Sequence, residues 1–277
     1  MINVSIVTYF TPVSDVIKAI SICQKSTLVG KIYIIDNSPI DVLSKSLAIN
    51  QKVNYIHNPK NTGYGAGHNI AMKESLSQKV PFHLVLNADV IFDYTLLRKI
   101  ILFADKNKNI GLISPKMLFE DGSIQCSRKL LPNPINMLFR AFLPKFLRKS
   151  IDHKFELVSF GYDNLLSVPY VSGAFMFLRT SILDEIGLFD ERFFMYPEDI
   201  DLSRRVAKLY QVIFVPDFVI THKYGGATRK NIKMFIIHIV NMIRYFNKWG
   251  WVMDKDRRAL NKRALENNPL SNMKRNL

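Results

Sequence analysis

One pattern in the first 115 residues constrains the fold more than anything else in the chain: short apolar runs, each ending on a polar residue, alternate with helix-length amphipathic segments. Residues 4–9 (VSIVTY) read as a buried strand, and a helix is predicted over 13–25. The runs 31–35 (KIYII) and 52–57 are the second and third strands. A glycine-rich loop leads into a helix within 61–77. A fourth strand at 82–86 (FHLVL), a helix near 94–106 and a fifth strand at 110–114 complete the series. Strands that alternate with helices build βαβ units, hence a mostly parallel sheet with right-handed crossovers. In such sheets ligands bind beyond the carboxyl ends of the strands. The residues at those ends are Thr8, Asp36, His57 and the run Asn87-Ala88-Asp89.

The chain then changes character. Residues 130–166 contain Pro132, Pro134 and Pro144, and 135–150 carries Arg140, Lys145, Arg148 and Lys149 with no acid, so a partly helical excursion is expected there. Ordered patterning resumes as a strand over 168–178, helices near 181–186 and 198–209, and a late strand at 212–215. No internal repeat or low-complexity segment interrupts the 277 residues.

Charge narrows the partners. Lys plus Arg number 38 against 23 acids, a net +15, and residues 223–277 hold 13 bases and 3 acids, +10 of that excess. Such an excess favours an anionic partner. No nucleic-acid recognition motif accompanies it, so no specific nucleic acid is expected. Two cysteines, Cys23 and Cys126, cannot build a disulfide framework, which points to a reducing compartment. The first residues do not read as an export signal, and no run approaches the ~20 apolar residues of a membrane span. The expectation is a cytoplasmic protein. In 229–277, Phe235, Ile236, Ile239, Met242, Ile243 and Phe246 fall at helical spacing beside Arg244, Lys248, Trp249 and Trp251. An apolar stripe with bases and tryptophan suits an anionic membrane surface; packing on the body of the protein or on a second copy in a homo-oligomer explains it as well.

Four constellations can carry chemistry. Asp89, closing the Asn87-Ala88-Asp89 run, could hold a hard divalent cation that bridges phosphates, or cap the turn that follows. Pro197-Glu198-Asp199-Ile200-Asp201 places three acids at a helix start, where the macrodipole favours them, yet the aromatic run before it would also make a pocket that tunes a carboxylate. Residues 58–69 (NPKNTGYGAGHN) bring Gly63, Gly65 and Gly67 to a helix start, as phosphate sites do, although neither the Walker nor the dinucleotide spacing is present; taken by itself the loop reads better as a plain flexible turn. His222, in Thr221-His222-Lys223-Tyr224-Gly225-Gly226, is a metal or phosphate ligand or a structural histidine.

Taken in order, VSIVTY, Ile35-Asp36-Asn37-Ser38, NTGYGAGHN, LNADV, SGAFMFLR, IGLFDERFFMYPEDIDLSRR and finally His222 with Gly225 resemble the family 2 inverting glycosyltransferases, the rhamnosyltransferase-like branch in particular. The resemblance implies a GT-A (Rossmann-like) α/β fold with a mostly parallel central sheet flanked by helices. It implies a catalytic domain over 1–228, with a nucleotide-binding half to about 115 and an acceptor half beyond it, and a basic amphipathic helical region over 229–277. Carried over by position, Asp199 is the catalytic base. Thr8, Tyr9, Asp36, Asn61, Gly63, Asn69 and Asn87 shape the nucleotide site. Asp89 and His222 bind a divalent cation, Mg²⁺ or Mn²⁺. Gly173, Ala174, Glu198 and Asp201 line the sugar and acceptor pocket. Asn87 stands where the stricter DxD motif has Asp. The implied partners are a dTDP-rhamnose or UDP-sugar donor and a polyprenyl-diphosphate-linked or oligosaccharide acceptor at the inner face of the cell membrane. The alternatives are a non-catalytic relative that only binds a nucleotide sugar and, on charge alone, a basic nucleic-acid-binding protein.

Overall fold

The computed structural model describes residues 1–47, 50–137, 144–223, 232–266, 268 and 270. The strands are β1 Ile2–Thr8, β2 Val29–Asp36, β3 Val53–His57, β4 Phe82–Leu86, β5 Val90–Ile91, β6 Ile110–Leu118, β7 Ile124–Gln125, β8 Arg128–Lys129, β9 Leu166–Ser167, β10 Tyr170–Val171, β11 Phe175–Arg179 and β12 Gln211–His222. The helices are α1 Val13–Lys25, α2 Tyr64–Ser77, α3 Leu96–Lys106, α4 Lys145–Phe155, α5 Leu183–Ile186, α6 Glu198–Leu209, α7 Ile232–Trp249 and α8 Lys255–Glu266.

Ten strands form one sheet whose main path runs β3-β2-β1-β4-β11-β6-β12-β5, with β7 on β6 and β9 on β12; β8 and β10 pair separately. β1, β2, β3 and β4 are parallel, as are β6 and β12, while β11 runs antiparallel between β4 and β6. The register aligns Thr8 with Asp36 and Asp36 with His57, so these strand ends share one edge. Both faces of the sheet are covered. Along β4, Leu84 and Leu86 join a cluster with Val16, Ile20, Leu97 and Ile100 under α1 and α3. Val85, between them, joins the opposite cluster with Leu202, Val206, Phe214 and Tyr245. Burial on both faces is why these strands read as continuous apolar runs rather than as alternation.

Two features depart from the expected elements. The run 168–178 is not one strand: it breaks between β10 and β11 at Ser172–Ala174, where the Ser127 carbonyl, the Asn87 N–H and the side chains of Tyr64 and Asp199 take up the backbone groups. The late strand is three times as long as its apolar core, because β12 continues past Pro216 through a register irregularity between Val215 and Val219; proline removes a ladder donor and is tolerated at such a bulge. The basic excursion contains α4, whereas Arg140 lies outside the described residues. So do Gly225 and the expected boundary at 228. α7 turns one face inward, burying Asn241 and placing Met242, Tyr245 and Phe246 in the second cluster, and leaves Phe235, Ile236, Ile239 and Ile243 exposed. No described helix is long and apolar enough to cross a membrane.

Candidate active site

The edge formed by the ends of β1, β2 and β3 is built around Asp36. Its carboxylate is fully buried. Oδ1 accepts from Thr8 Oγ1 at 3.2 Å and from the Ser38 N–H at 3.0 Å, and Oδ2 accepts from Tyr55 Oη at 3.1 Å. Asp36 therefore sets the two loops that leave β1 and β2. Tyr9 and Phe10, which follow Thr8, are exposed and meet edge to face with ring centroids 4.9 Å apart.

The glycine-rich loop is a clamp. Gly63 has φ +98°, and a Cβ there would fall 2.2 Å from the Phe194 carbonyl oxygen, which also accepts from the Tyr64 N–H at 2.9 Å. A Cβ on Gly65 would meet Phe189 and one on Gly67 would meet Val7, each at 2.8 Å. The three glycines let the start of α2 lie against β1 and against residues 189–194. Asn61 makes the preceding turn with φ +44°. Asn69 is buried, donating to the Phe189 carbonyl and Glu191 Oε1 and accepting from the Phe189 N–H, so it latches the same segment.

At the end of β4, Asp89 Oδ1 lies 3.3 Å from His222 Nε2 at the end of β12. His222 Nδ1 is 2.9 Å from Gln125 Oε1, and Asn87 Nδ2 is 3.4 Å from His222 Nε2. The donor set suits a hard or borderline divalent cation: a carboxylate oxygen and an imidazole nitrogen converge, and the second ring nitrogen is fixed by a partner. Among the described residues no group of three or more His, Cys, Asp or Glu converges, so phosphates and water would have to complete the coordination, as they do for Mg²⁺.

Asp199 stands in the first turn of α6, partly exposed. Oδ2 accepts from the Gly173 N–H at 3.0 Å and from Tyr170 Oη at 3.3 Å; Oδ1 accepts from the Ile200 N–H at 2.8 Å. Burial pushes its carboxyl above the usual range, against the opposing pull of those two N–H groups and of Lys129. Its neighbour Glu198 is buried, its Oε2 without a hydrogen-bond partner among the described residues, and burial, with the Asp199 charge second, pushes it up to about 8.

The turn Ser172–Ala174 joins these parts. The Ala174 carbonyl accepts from the Asn87 N–H at 2.9 Å, and Tyr64 Oη sits 2.9 Å from both Asn87 Oδ1 and the Gly173 carbonyl. The carboxylate at Asp199 and the strand end carrying Asp89 are thus held through one three-residue turn. Asp201 lies elsewhere: its fully buried carboxylate accepts from Lys248 Nζ at 2.6 Å, Trp249 Nε1 at 2.8 Å and Arg205 Nε at 2.9 Å, anchoring α7. Tyr64, Tyr170, Gln125 and Lys129 were not singled out from sequence. Only Tyr64 lies inside a recognisable motif; Gln125 sits on a two-residue hairpin strand, and Lys129 and Tyr170 sit on two-residue strands that pair with each other across about 40 residues.

The sequence profile described as Glycosyl transferase family 2 matches residues 21–187. The chain belongs to this family. It is 28% identical over 183 residues, 65% of this chain and 54% of the other, to the low-salt glycan biosynthesis hexosyltransferase Agl10 of Haloferax volcanii. It is 26% identical over 152 residues, 53% of this chain and 48% of the other, to an N-acetylglucosaminyl-diphospho-decaprenol L-rhamnosyltransferase of Mycobacterium tuberculosis. The chain spans about half the length of these curated relatives. Among solved structures it is similar to GalNAc-T7 with UDP, GalNAc and Mn²⁺, with a TM-score of 0.64 at 17% identity over 92% of this chain and 48% of that one. It is also similar to Staphylococcus aureus TarS, with a TM-score of 0.54 at 14% identity over 80% of this chain and 36% of that one. At such identities the likeness is one of fold, the GT-A fold.

Proposed function

We propose that the chain is an inverting hexosyltransferase that moves a sugar, rhamnose first among the choices, from a dTDP- or UDP-linked donor to a hydroxyl of a lipid-linked or oligosaccharide acceptor. The observation that carries this reading is the placement of Asp199. It is a carboxylate with raised proton affinity, fixed by two backbone N–H groups and tied through Ser172–Ala174 to the strand end that bears Asp89. A single displacement needs one base on the acceptor side. Asp199 takes the proton of the acceptor hydroxyl, the acceptor oxygen bonds to the anomeric carbon, and the bond from that carbon to the diphosphate breaks with inversion. Asp89 and His222 would hold a divalent cation, which when bound neutralises charge on the departing diphosphate. Asp36, Thr8, Tyr9, Asn61, Gly63 and Asn69 would build the nucleoside side directly or by holding its loops, and Glu198, Gly173 and Ala174 the sugar side. Asp201 supports this pocket from behind by fixing α7.

The lipid-linked acceptor is supported by the decaprenol-linked substrate in the name of the mycobacterial relative. The exposed apolar face of α7 and the basic charge of residues 229–277 support a place at the cytoplasmic membrane surface, with 229–277 as a helical region following the catalytic domain of 1–228.

Turnover and donor binding in Asp199→Asn test the reading together. With dTDP-rhamnose, UDP-sugars and a prenyl-diphosphate-linked acceptor, turnover should fall by about 10²–10⁴, the usual worth of a general base, while the donor still raises the melting temperature as it does in the parent. A parent chain that binds donor without turnover would instead make it a nucleotide-sugar-binding relative.

A further inference from the structure

A cleft of about 700 Å³ opens between residues 130–136 with 150–155 on one side and residues 251–266 on the other, within the roughly 300–1,000 Å³ of ordinary ligand pockets. Leu131, Ile151, Phe155, Trp251 and Leu265 line it, and its lip carries the exposed side chains Ile135 and Val252. Beside that lip, Met253 is 88% exposed. Lys154, Arg257, Arg258 and Lys262 also line the cleft, against one carboxylate, Glu266. Apolar walls with a basic margin are the complement of an amphiphile with an anionic head.

Arg257 makes the margin specific. It is only 5% exposed. Its Nη2 donates to the Trp251 and Val252 carbonyls at 3.1 and 3.3 Å. Its Nη1 is buried without a hydrogen-bond partner among the described residues. The nearest carboxylate, Asp254, is 3.8 Å away and is taken up bidentately by Arg204. A buried guanidinium N–H without an acceptor is costly to leave unmade, and a phosphate oxygen is the acceptor that suits it.

The cleft also has a place relative to the reaction. Its wall begins at Leu130, directly after Lys129, and Lys129 pairs across the β8–β10 ladder with Tyr170, whose hydroxyl donates to Asp199.

We propose that this cleft holds the apolar chain of an anionic lipid, with the phosphate at Arg257 and facing Lys154, Arg258 and Lys262. The choice of a prenyl carrier as that lipid rests on the lipid-linked acceptor proposed above; the site itself does not.

The test is a binding titration of the full chain with geranylgeranyl phosphate below its micelle concentration and without donor. It is read by calorimetry and by tryptophan emission, since Trp251 lines the cleft and Trp249 is the one other tryptophan. One-to-one saturable binding is expected, weakened at least tenfold by Arg257→Gln and abolished by Ile151→Trp, which fills the cleft. Ile151 is partly exposed, so that variant should melt as the parent does and carries the test if Arg257→Gln does not fold. Absence of saturable binding, or binding unchanged in a folded Ile151→Trp, overturns the proposal. Equal competition by inorganic phosphate alone also overturns it, leaving an anion site with no chain. Phosphatidylglycerol binding with the same dependence on both variants supports the anionic-lipid cleft and names a membrane lipid as its occupant instead of a prenyl carrier. No step of the assay needs donor or turnover, so its failure leaves the proposed transfer standing, and loss of transfer leaves the cleft standing.

Discussion

Glu198 has its proton affinity raised because burial removes water from its carboxyl and Asp199 adds a second negative charge beside it, and among the described residues Oε2 finds no hydrogen-bond partner. Its carboxyl titrates near 4.5 when exposed and at about 8 in the folded chain. Between those values the folded state binds more protons than the unfolded one, so stability falls as pH rises. The contribution is complete below about pH 4.5 and gone above about 8. Glu198→Gln should flatten that fall, which thermal melts from pH 5 to 8 will measure; the ceiling on the slope removed is about 1.4 kcal/mol per pH unit. An unchanged slope would mean that Glu198 is already ionised in the folded chain. Tyr64 works differently. Burial raises its hydroxyl well above the ordinary tyrosine range, so it stays a neutral donor between Asn87 and Gly173. Tyr64→Phe should cost about 0.5–1.5 kcal/mol of stability, the net worth of one hydrogen bond. Turnover should fall while the KM for donor holds, because the turn that aims Asp199 loses its tie to β4. Steady-state kinetics on the variant will separate the two constants.

At the level of elements, α6 is fastened to α8 and to the loop before it. Arg204 Nη1 and Nη2 donate to Asp254 at 2.7 and 2.6 Å, both side chains at most 2% exposed. Removing one partner of a buried pair strands the other, at about 3–5 kcal/mol. Asp254→Ala should lose that much in urea unfolding, and the double variant Arg204→Met, Asp254→Leu should regain most of it. If the single variant costs under about 1 kcal/mol, the pair behaves as a surface bridge and α8 is not anchored through it. None of this pairing is legible in the sequence, because Arg204 and Asp254 are 50 residues apart and each looks like an ordinary surface charge. By contrast α1, at Val13–Lys25, and α6, at Glu198–Leu209, are readable to the residue: their apolar spacing is helical, and Pro12 and Pro197 stand immediately before them. β11 reads as a strand from FMFLR, but its antiparallel insertion between β4 and β6 does not, since pairing direction leaves no trace in composition. The turn at Ser172–Ala174 is hidden for a related reason. Its backbone is satisfied by Tyr64, Asn87 and Asp199, which come from three distant segments. Asp201 shows the same limit from the other side: its place among three acids at a helix start suggests a pocket, whereas Lys248, Trp249 and Arg205, which claim its carboxylate, are visible only once α7 is folded back.

Over the whole molecule, charge and apolar exposure are concentrated together. Residues 223–277 carry +10 of the net +15, and within them α7 buries Met242, Tyr245 and Phe246 while exposing Ile236 at 54% and Ile239 at 42%. The inward face is needed for the second core cluster, so it accounts for Met242 and Phe246 of the apolar stripe. Among the described residues nothing packs on Ile236 or Ile239 enough to bury them. An apolar face flanked by bases gains from an anionic leaflet in two ways, by removing apolar area from water and by about 1 kcal/mol per basic residue held near the surface. The two contributions respond to different variables. Salt screens the electrostatic part within a Debye length of ~10 Å at 0.1 M and leaves the apolar part in place. The full chain should therefore cosediment with phosphatidylglycerol vesicles at low salt and be released progressively as salt rises, and it should stay in the supernatant with phosphatidylcholine vesicles. Ile236→Asp together with Ile239→Asp should abolish vesicle binding at low salt while leaving the melting temperature within about 2 °C, since exposed substitutions are usually worth less than about 0.5 kcal/mol. A parent chain that stays in the supernatant with anionic vesicles at low salt removes the membrane from the proposal. The outward face of α7 would then be a surface for a second copy of the chain, and equilibrium sedimentation of the parent against the double variant would show it as a loss of dimer.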